Sequence, residues 1–432
     1  MNQDFVLARS PDFINNCKRI SINHFTRIRK MPFNLLTASI LNRKGLSLTM
    51  ELNAFNRQTQ SPDISKSGYL KQRLKLNPEA FKWLNRNHCE NYYQEHATVK
   101  RFKGHLLLAG DGSGINVPTT DENLARYGDS KTHGDRSQAQ LGLSCLYDVL
   151  NRMILDSTIN PGHYDQREQV LNHLKSNAEL LSHWQSILIL DRGYPGLSMF
   201  LDLQNLGQKF VVRLSATHFK QEQARMKTND EWLNIPIDTY RIQHYRGTPY
   251  EQPLLLIQSF HFRFVKIQFS GETTEYLLTN LDSREWPYEA ISYIYHCRWG
   301  VETAFDELKN KLALENFTGI KPVLIEQDIY ACIYLCNCLE DIIQEVEAER
   351  LLKTKHRYKY PMKVNRNIAT GIFKDKLIHF MLDEDPNKQT SLYDDMCQVV
   401  GKNLVPIRKG RNFPRTRSRF SIKHPNNRKR SF

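Results

Sequence analysis

Nothing in the 432-residue chain approaches the ~20 consecutive apolar residues needed to cross a bilayer. The longest candidate, Ile329 to Leu339, is broken by Asn337 and bordered by acids. The N-terminus, with Asp4 and Asp12 among mixed residues, lacks the apolar core of a secretion signal, so the protein is expected in the cytoplasm. Cysteine is also scarce. Eight in the whole chain are too few for a disulfide scaffold, and the cluster Cys332, Cys336 and Cys338 falls in an apolar helical stretch with no second Cys/His pair at zinc spacing. It reads as core packing. No internal repeat is visible, and from Lys402 to Phe432 there is no Asp or Glu at all.

That last absence locates the charge. Eleven of the 60 Lys and Arg residues lie in the acid-free end, and the other 49 nearly balance all 46 acids, so the tail carries most of the net +14. Asn, Pro, Ser and Arg dominate it and leave little to bury. Residues 401–432 are therefore expected to be disordered when free and to meet a polyanion, most simply DNA, through cations such as Arg408, Arg411 and Arg415. The rest, 40% hydrophobic overall, can build real cores and suggests two or three domains.

What the chain does have is concentrated between Trp286 and Leu314 (WPYEAISYIYHCRWGVETAFDELKNKLAL). Wound as an α-helix at about 100° per residue, this stretch puts Tyr295, Arg298, Glu302 and Lys309 within an arc of about 60°. Ile294, Val301, Ala304, Phe305, Leu308 and Leu312 fill a neighbouring apolar arc of about 100°. The helix is thus expected to be buried along one face, with four different polar groups aimed together at its border. A metal-binding carboxylate beside donors for phosphate oxygens is what a site handling a phosphodiester needs.

Two aspartates upstream end apolar runs. His105 to Gly110 leads into Asp111-Gly112-Ser113-Gly114, whose glycines suggest a sharp turn, and Ser186 to Leu190 is closed by Asp191-Arg192-Gly193-Tyr194. Around them Gln138 to Tyr147 and Met153 to Ile159 read as strands, Asp165 to Leu181 and Pro195 to Leu206 as helices, and Lys209 to Leu214 as a strand.

The spacing Tyr295-x2-Arg298-x3-Glu302-x6-Lys309 resembles the Tyr/Arg/Glu/Lys signature of bacterial insertion-sequence transposases of the cut-and-paste type, which have an Asp-Asp-Glu active site. The resemblance implies an α/β catalytic domain of the ribonuclease-H-like class, and three antiparallel strands followed by helices alternating with two more strands is that fold's order. It implies Asp111, Asp191 and Glu302 as catalytic and metal-binding residues, with Mg²⁺, or Mn²⁺ in its place, as a pair of ions. Carboxylates gathered this closely repel unless a hard cation neutralises them. It also implies that Tyr295, Arg298 and Lys309 contact phosphates of the transposon end, that the partner is double-stranded DNA at ends and target, and that a homodimer holds paired ends, associated with the nucleoid. An aromatic ahead of the signature, Tyr276 or Trp286, would stack on a displaced base. A ribonuclease-H-like nuclease without strand transfer and a catalytically inactive DNA-binding relative are the alternatives.

The expected organisation follows. Residues 1–100 are a helical DNA-binding region, with helices over Phe33 to Leu41 and Gly68 to Leu84, the latter capped by Asp63 or Ser65 and presenting Lys71, Arg73 and Lys75. Residues 101–214 and 287–347 form the catalytic core, the second part ending in a helix from Val323 to Glu347. Residues 348–400 are a helical C-terminal region. The 111 residues from Asp191 to Glu302 are too many for one crossover, so 215–286 is expected to be a β-rich insertion with strands at Tyr240 to Tyr245, Leu254 to Phe260, Phe262 to Phe269 and Thr274 to Leu281.

Overall fold

In the computed structural model of the chain, residues 1–27, 29–94, 98–130, 137–268, 274–354 and 358–408 are described. Nearly all of the expected disordered tail, including Arg411 and Arg415, lies outside them.

Eight strands build one mixed sheet: β1 (Leu106–Asn116), β2 (Gln140–Asp148), β3 (Met153–Pro161), β4 (Ser186–Leu190), β5 (Lys209–Leu214), β6 (Asp230–Pro236), β7 (Ser259–Gln268) and β8 (Thr274–Thr279). Their spatial order is β3-β2-β1-β4-β5-β8-β7-β6. The first three strands pair antiparallel and β1-β4-β5 run parallel, which is the expected ribonuclease-H-like arrangement. Alternate residues of the parallel strands face opposite cores. Leu106, Leu108, Leu188 and Leu190 pack with Phe200 and Phe210 on one side, while Leu107, Ile187, Ile189 and Val211 pack with Ile291 and Ile294 on the other.

The insertion departs from expectation. Its strands β6, β7 and β8 do not form a separate sheet but continue the central one through the β5–β8 pair. Tyr240 to Tyr245 and Leu254 to Phe260 are not strands. They contain the short helices Thr239–Ile242 and Glu251–Ile257, the latter burying Leu254 while Leu256 stays 84% exposed. A four-residue apolar run has no periodicity that separates strand from helix. β6 (DEWLNIP) escaped notice because it is a half-polar edge strand ending in Pro236, where proline is tolerated.

Gly68 to Leu84 is two helices, Lys66–Arg73 and Glu79–Gln94. Pro78 holds Asn77 out of helical conformation between them. Ser65 caps the first, its Oγ accepting from the Gly68 amide at 3.2 Å. The helix Phe33–Leu41 stands as expected, and a 33-residue helix, Pro322–Thr354, encompasses the one expected from Val323. Residues Phe5, Leu36, Phe81 and Leu84 share a core with Ile329, Ile333 and Ile342 of that long helix, with Phe373 and Leu377 of the helix Arg366–Leu382, and with Ala109 and Leu143 of the sheet. N-terminal region, sheet and C-terminal helices are thus built around common apolar contacts. Cys332, Cys336 and Cys338 are buried there as free thiols. Among the described residues no helix is long and apolar enough to cross a membrane.

Candidate active site

The site begins with register. β1 pairs in parallel with β4 up to Ala109 opposite Ile189, so Asp111 and Asp191 each stand two residues beyond the last matched pair on neighbouring strands. Adjacent strands lie ~4.8 Å apart. Asp111 also shares its side of β1 with Leu107 and Ala109, the side covered by the signature helix. The sequence suggested a turn at this point, but β1 runs on to Asn116, and Asp111 sits mid-strand opposite Cys145 of β2. The glycines there serve close approach instead. A Cβ on Gly112 would meet the Tyr164 hydroxyl at 2.2 Å, and one on Gly142 of β2 would meet the same ring at 2.2 Å. They form a cradle in which Tyr164 lies across the sheet. Asp191 is fixed by its own loop, Oδ1 accepting from the Gly193 amide at 2.7 Å.

Glu302 comes from the other wall. The signature segment is helical over Tyr288–Cys297 and Trp299–Asp306, with a break at Arg298, and then widens into a π-turn, Glu307–Lys311. Arg298 Nη2 donates to Glu302 Oε1 at 2.6 Å while Nη1 lies 3.9 Å from Asp111 Oδ2. One guanidinium therefore ties helix to sheet between two of the three carboxylates. Burial pushes the Asp111 carboxyl up to about 6; the Gly112 amide and Arg298 pull the other way, and Asp191 and Glu302 add to the rise. The Asp111 carboxyl thus feels both of the others.

Lys309, in the π-turn, donates to Ser113 Oγ at 2.8 Å and to the Gly114 carbonyl at 2.9 Å, two and three residues along from Asp111 on the same strand, and burial lowers the pKa of its ammonium. Tyr295 is 4% exposed and packs under the guanidinium of Arg298, 5.9 Å from its ring. Burial raises its phenol, and the neighbouring Arg213, itself paired with Glu275 at 2.7 Å, moderates the rise. Arg298, Glu302 and Lys309 thus gather with the aspartates, while Tyr295 supports them from beneath.

Other residues at the site carried no recognisable pattern. Tyr194, three residues after Asp191, is buried with a hydroxyl that has no hydrogen-bond partner, close enough to Asp111 and Asp191 for both to raise its pKa. Beneath Tyr164 runs a buried chain in which His173 joins Asp156 Oδ2 through Nδ1 at 2.8 Å and Ser144 Oγ through Nε2 at 3.0 Å. Behind the π-turn, Glu307 is held by Lys311 at 2.9 Å and by Arg366 at 2.7 Å. Tyr194 was visible in the sequence as the end of Asp-Arg-Gly-Tyr; the others depend on approaches between distant segments that no spacing reveals.

Of the cations expected to meet DNA, Lys71 is exposed, Lys75 half-buried, and Arg408 exposed beside the Tyr360 ring. Arg73 must be corrected. It is fully buried, donating to Asp328, Gln327 and the Leu324 carbonyl at 2.9 Å each and to Thr318 Oγ1, and it locks the N-terminal region to the long helix. Trp286 must be corrected too. It is fully buried against His105 with Lys103 and Lys209 over its ring and cannot stack on a base in this arrangement, whereas Tyr276 is half-buried on β8.

The donor set fits a hard divalent cation. It is all oxygen, burial and two neighbouring carboxyls raise the pKa of Asp111, and a buried, unpartnered hydroxyl stands beside it. Among the described residues the group with ligand atoms within 4.8 Å of one another is a different one, Asp4, His88 and Cys338, in which Asp4 is already engaged by His88, Asn87 and Tyr334; the three carboxyls stand wider apart than that.

Residues 102–338 match the family model described as "Transposase DDE domain". Transposase InsG for insertion sequence element IS4 of Escherichia coli (strain K12) is 20% identical over 437 residues, an alignment spanning 98% of this chain and 93% of that protein. Among solved structures, the piggyBac transposase synaptic complex with hairpin DNA is similar with a TM-score of 0.44 and 10% identity, covering 99% of this chain and 91% of that one.

Proposed function

Because the chain belongs to the DDE-domain transposase family, we propose that Asp111, Asp191 and Glu302 are its catalytic carboxylates, that they cut DNA at the ends of an insertion sequence, and that the freed 3′-hydroxyl is joined to target DNA. The observation that carries this reading is the convergence of three carboxyls from two parallel strands and one helix, with Asp111 pushed up to about 6 by burial and by its two companions.

Divalent ions held by these carboxylates, Mg²⁺ or in its place Mn²⁺, would lower the pKa of the attacking water or hydroxyl and stabilise the leaving oxygen. The chain's own groups do the rest. Arg298 balances Asp111 and Glu302 and offers its fork to a phosphate oxygen of the scissile strand. Lys309, held on the strand that carries Asp111, supplies a point charge to a neighbouring phosphate, and Tyr295 keeps Arg298 at its station from below. The exposed Lys71 and Arg408 and the half-buried Lys75 extend the cationic path along the duplex, with Arg411 and Arg415 of the tail beyond. Cutting both ends together calls for a homodimer, each copy holding one end.

The test uses duplexes carrying the inverted repeats that flank the gene, Mg²⁺ and a target plasmid. Alanine at Asp111, Asp191 or Glu302 is expected to abolish cleavage while retaining duplex binding; full cleavage by any one of these variants overturns the assignment. Cut but never joined products from the unaltered protein would reduce it to a nuclease.

A further inference from the structure

The β1–β4 ladder ends at Ala109 and Ile189, so no pairing between these two strands fixes Asp191 against Asp111. Asp191 has already left its strand, which closes at Leu190, and stands in the loop leading to the helix Leu197–Asn205. The Gly193 amide orients the Asp191 carboxylate within that loop at 2.7 Å, but a bond inside a loop does not place the loop. A contact from outside has to. Little error is tolerable there, since a misplacement of about 1 Å costs about 100-fold in rate at a preorganised site.

The contact comes from the helix Gln166–Ser176. Asp165 caps it, Oδ1 accepting from the amides of Arg167 at 2.8 Å and Glu168 at 3.4 Å. The helix is seated on the sheet: Val170, Leu171 and Leu174 share a core with Leu188 and Leu190, and a Cβ on Gly110, the residue before Asp111, would stand 2.5 Å from Val170 Cγ2. From that seat its start reaches towards both aspartates. Gln166 lies beside Tyr164 over Gly112, its Nε2 3.1 Å from where a Cβ there would be. Arg167 reaches the other way, its Nη2 donating to the Gly193 carbonyl at 3.2 Å and to the Pro195 carbonyl at 3.0 Å, with Nη1 3.1 Å from where a Cβ on Gly196 would stand. Among the described residues no carboxylate oxygen lies within 4.0 Å of this guanidinium. An arginine that spends a nitrogen on two carbonyls of one loop fixes the path of that loop and neutralises nothing.

We propose that Arg167 is a positioning residue for the metal centre: from a helix seated beside Asp111 it holds the Asp191 loop, and so sets the separation at which the two carboxylates share a divalent ion. The proposal rests on reading Asp111 and Asp191 as metal ligands. It goes further in naming what fixes their spacing and in predicting which ion suffers when the spacing is released. Mg²⁺ demands near-ideal octahedral geometry with oxygens at about 2.0–2.1 Å, whereas Ca²⁺ accepts about six to eight oxygens at about 2.3–2.6 Å in flexible arrangements. A loop free to drift therefore penalises Mg²⁺ and is tolerated by Ca²⁺.

The experiment uses the full chain and reads metal binding directly, as the rise in melting temperature with added Mg²⁺ or Ca²⁺ in the absence of DNA. Single-turnover cleavage of inverted-repeat duplexes is followed alongside as a function of Mg²⁺. Arg167→Ala is expected to weaken Mg²⁺ binding about 10-fold while Ca²⁺ affinity changes by less than about 2-fold, and saturating Mg²⁺ should restore most of the cleavage rate. Arg167→Lys, which offers a point charge in place of a fork, is expected to lose about 3-fold in Mg²⁺ affinity; it carries the test if the alanine variant melts early without metal. Mg²⁺ affinity equal to the parent's in the variant that carries the test overturns the proposal. So do parallel losses for the two ions, which mean a collapsed site, and weakened duplex binding with metal affinity intact, which would assign Arg167 to DNA phosphates. Asp191→Ala separates the two levels. If it binds Mg²⁺ as the parent does, the catalytic reading falls and the positioning role with it; if it loses Mg²⁺ while Arg167→Ala keeps it, the role of Arg167 alone falls.

Discussion

Asp111 is where the cost of assembling three carboxyls falls. Its pKa of about 6 in the fold, against 3.8 ordinarily, means that above pH 6 the metal-free protein holds an ionised carboxylate in a place that resists it. The sign follows from linkage: the folded state binds the proton more tightly than the unfolded one, so stability declines as pH rises from about 4 through 6. Asp111→Asn should therefore stabilise the metal-free protein by ~1–3 kcal/mol at pH 7.5, and the gain should vanish below pH 4. Thermal denaturation in chelator at the two pH values checks this; equal melting temperatures for parent and variant at pH 7.5 would contradict it. Arg73 gives the opposite case. Breaking a buried ion pair typically costs about 3–5 kcal/mol because the partner charge is stranded, so Arg73→Ala should lower stability on that scale, leaving Asp328 facing only Arg43, at 3.2 Å. Lys71→Ala, on the exposed side of the same helix, should leave denaturant midpoints unchanged while weakening DNA binding.

The signature helix shows how much of an element can be read from residues alone. Four polar types at fixed offsets located Arg298, Glu302 and Lys309, because side-chain direction on a helix is set by spacing. The π-turn at Glu307–Lys311 could not be foreseen, since it depends on Arg366, 59 residues further on, and on Glu340 of the long helix. Strands β4 and β5 were legible to the residue, being short apolar runs between polar ends, whereas β1 was cut short at Asp111 because its glycines look like a turn until Tyr164 is known to lie across them. Burial alone would raise Glu307, but Arg366 and Lys311 outweigh it and hold the carboxyl below its usual range. That contribution is present above the unfolded pKa and is lost as pH falls through the folded one. Arg366→Ala should leave Glu307 to Lys311 and Arg152 and Glu340 to Arg152 alone, cost about 1–3 kcal/mol for the lost charge-assisted hydrogen bonds and move Lys309 off Ser113. A denaturation curve and a single-turnover cleavage rate test both parts; unchanged stability would show the pair to be solvated rather than buried.

At the scale of the molecule, the long helix Pro322–Thr354 decides what can fold alone. Gln327 Nε2 donates to the carbonyls of Arg73 and Leu76 at 2.9 and 2.8 Å, and Asn337 Nδ2 donates to Asn85 Oδ1 at 2.8 Å while its Oδ1 accepts from the Ile154 amide of β3 at 2.9 Å. One helix thus has polar partners both in the N-terminal region and in the sheet, all buried, and its apolar side chains share a core with Phe81 and Leu84. Composition suggested a separable N-terminal region, since amphipathic helices look alike whether their apolar face meets their own domain or another. Removing residues 1–100 would expose that face, leave Gln327 without its partners, and strip Asp328 of Arg43 and Arg73 and Asn337 of Asn85. Unpaired buried polar groups cost ~1–3 kcal/mol each, which together with the lost apolar contacts exceeds the ~5–15 kcal/mol by which proteins are usually stable. A fragment limited to residues 102–338, the stretch matching the family model, is accordingly expected to lack a cooperative thermal transition. In the full chain, tryptophan fluorescence from Trp83 in the N-terminal region and from Trp184 beside β4, each isolated by replacing the other tryptophans, should report one coincident urea transition. Two separated transitions, or a fragment that melts cooperatively, would mean that the N-terminal region and the sheet are independent folding units.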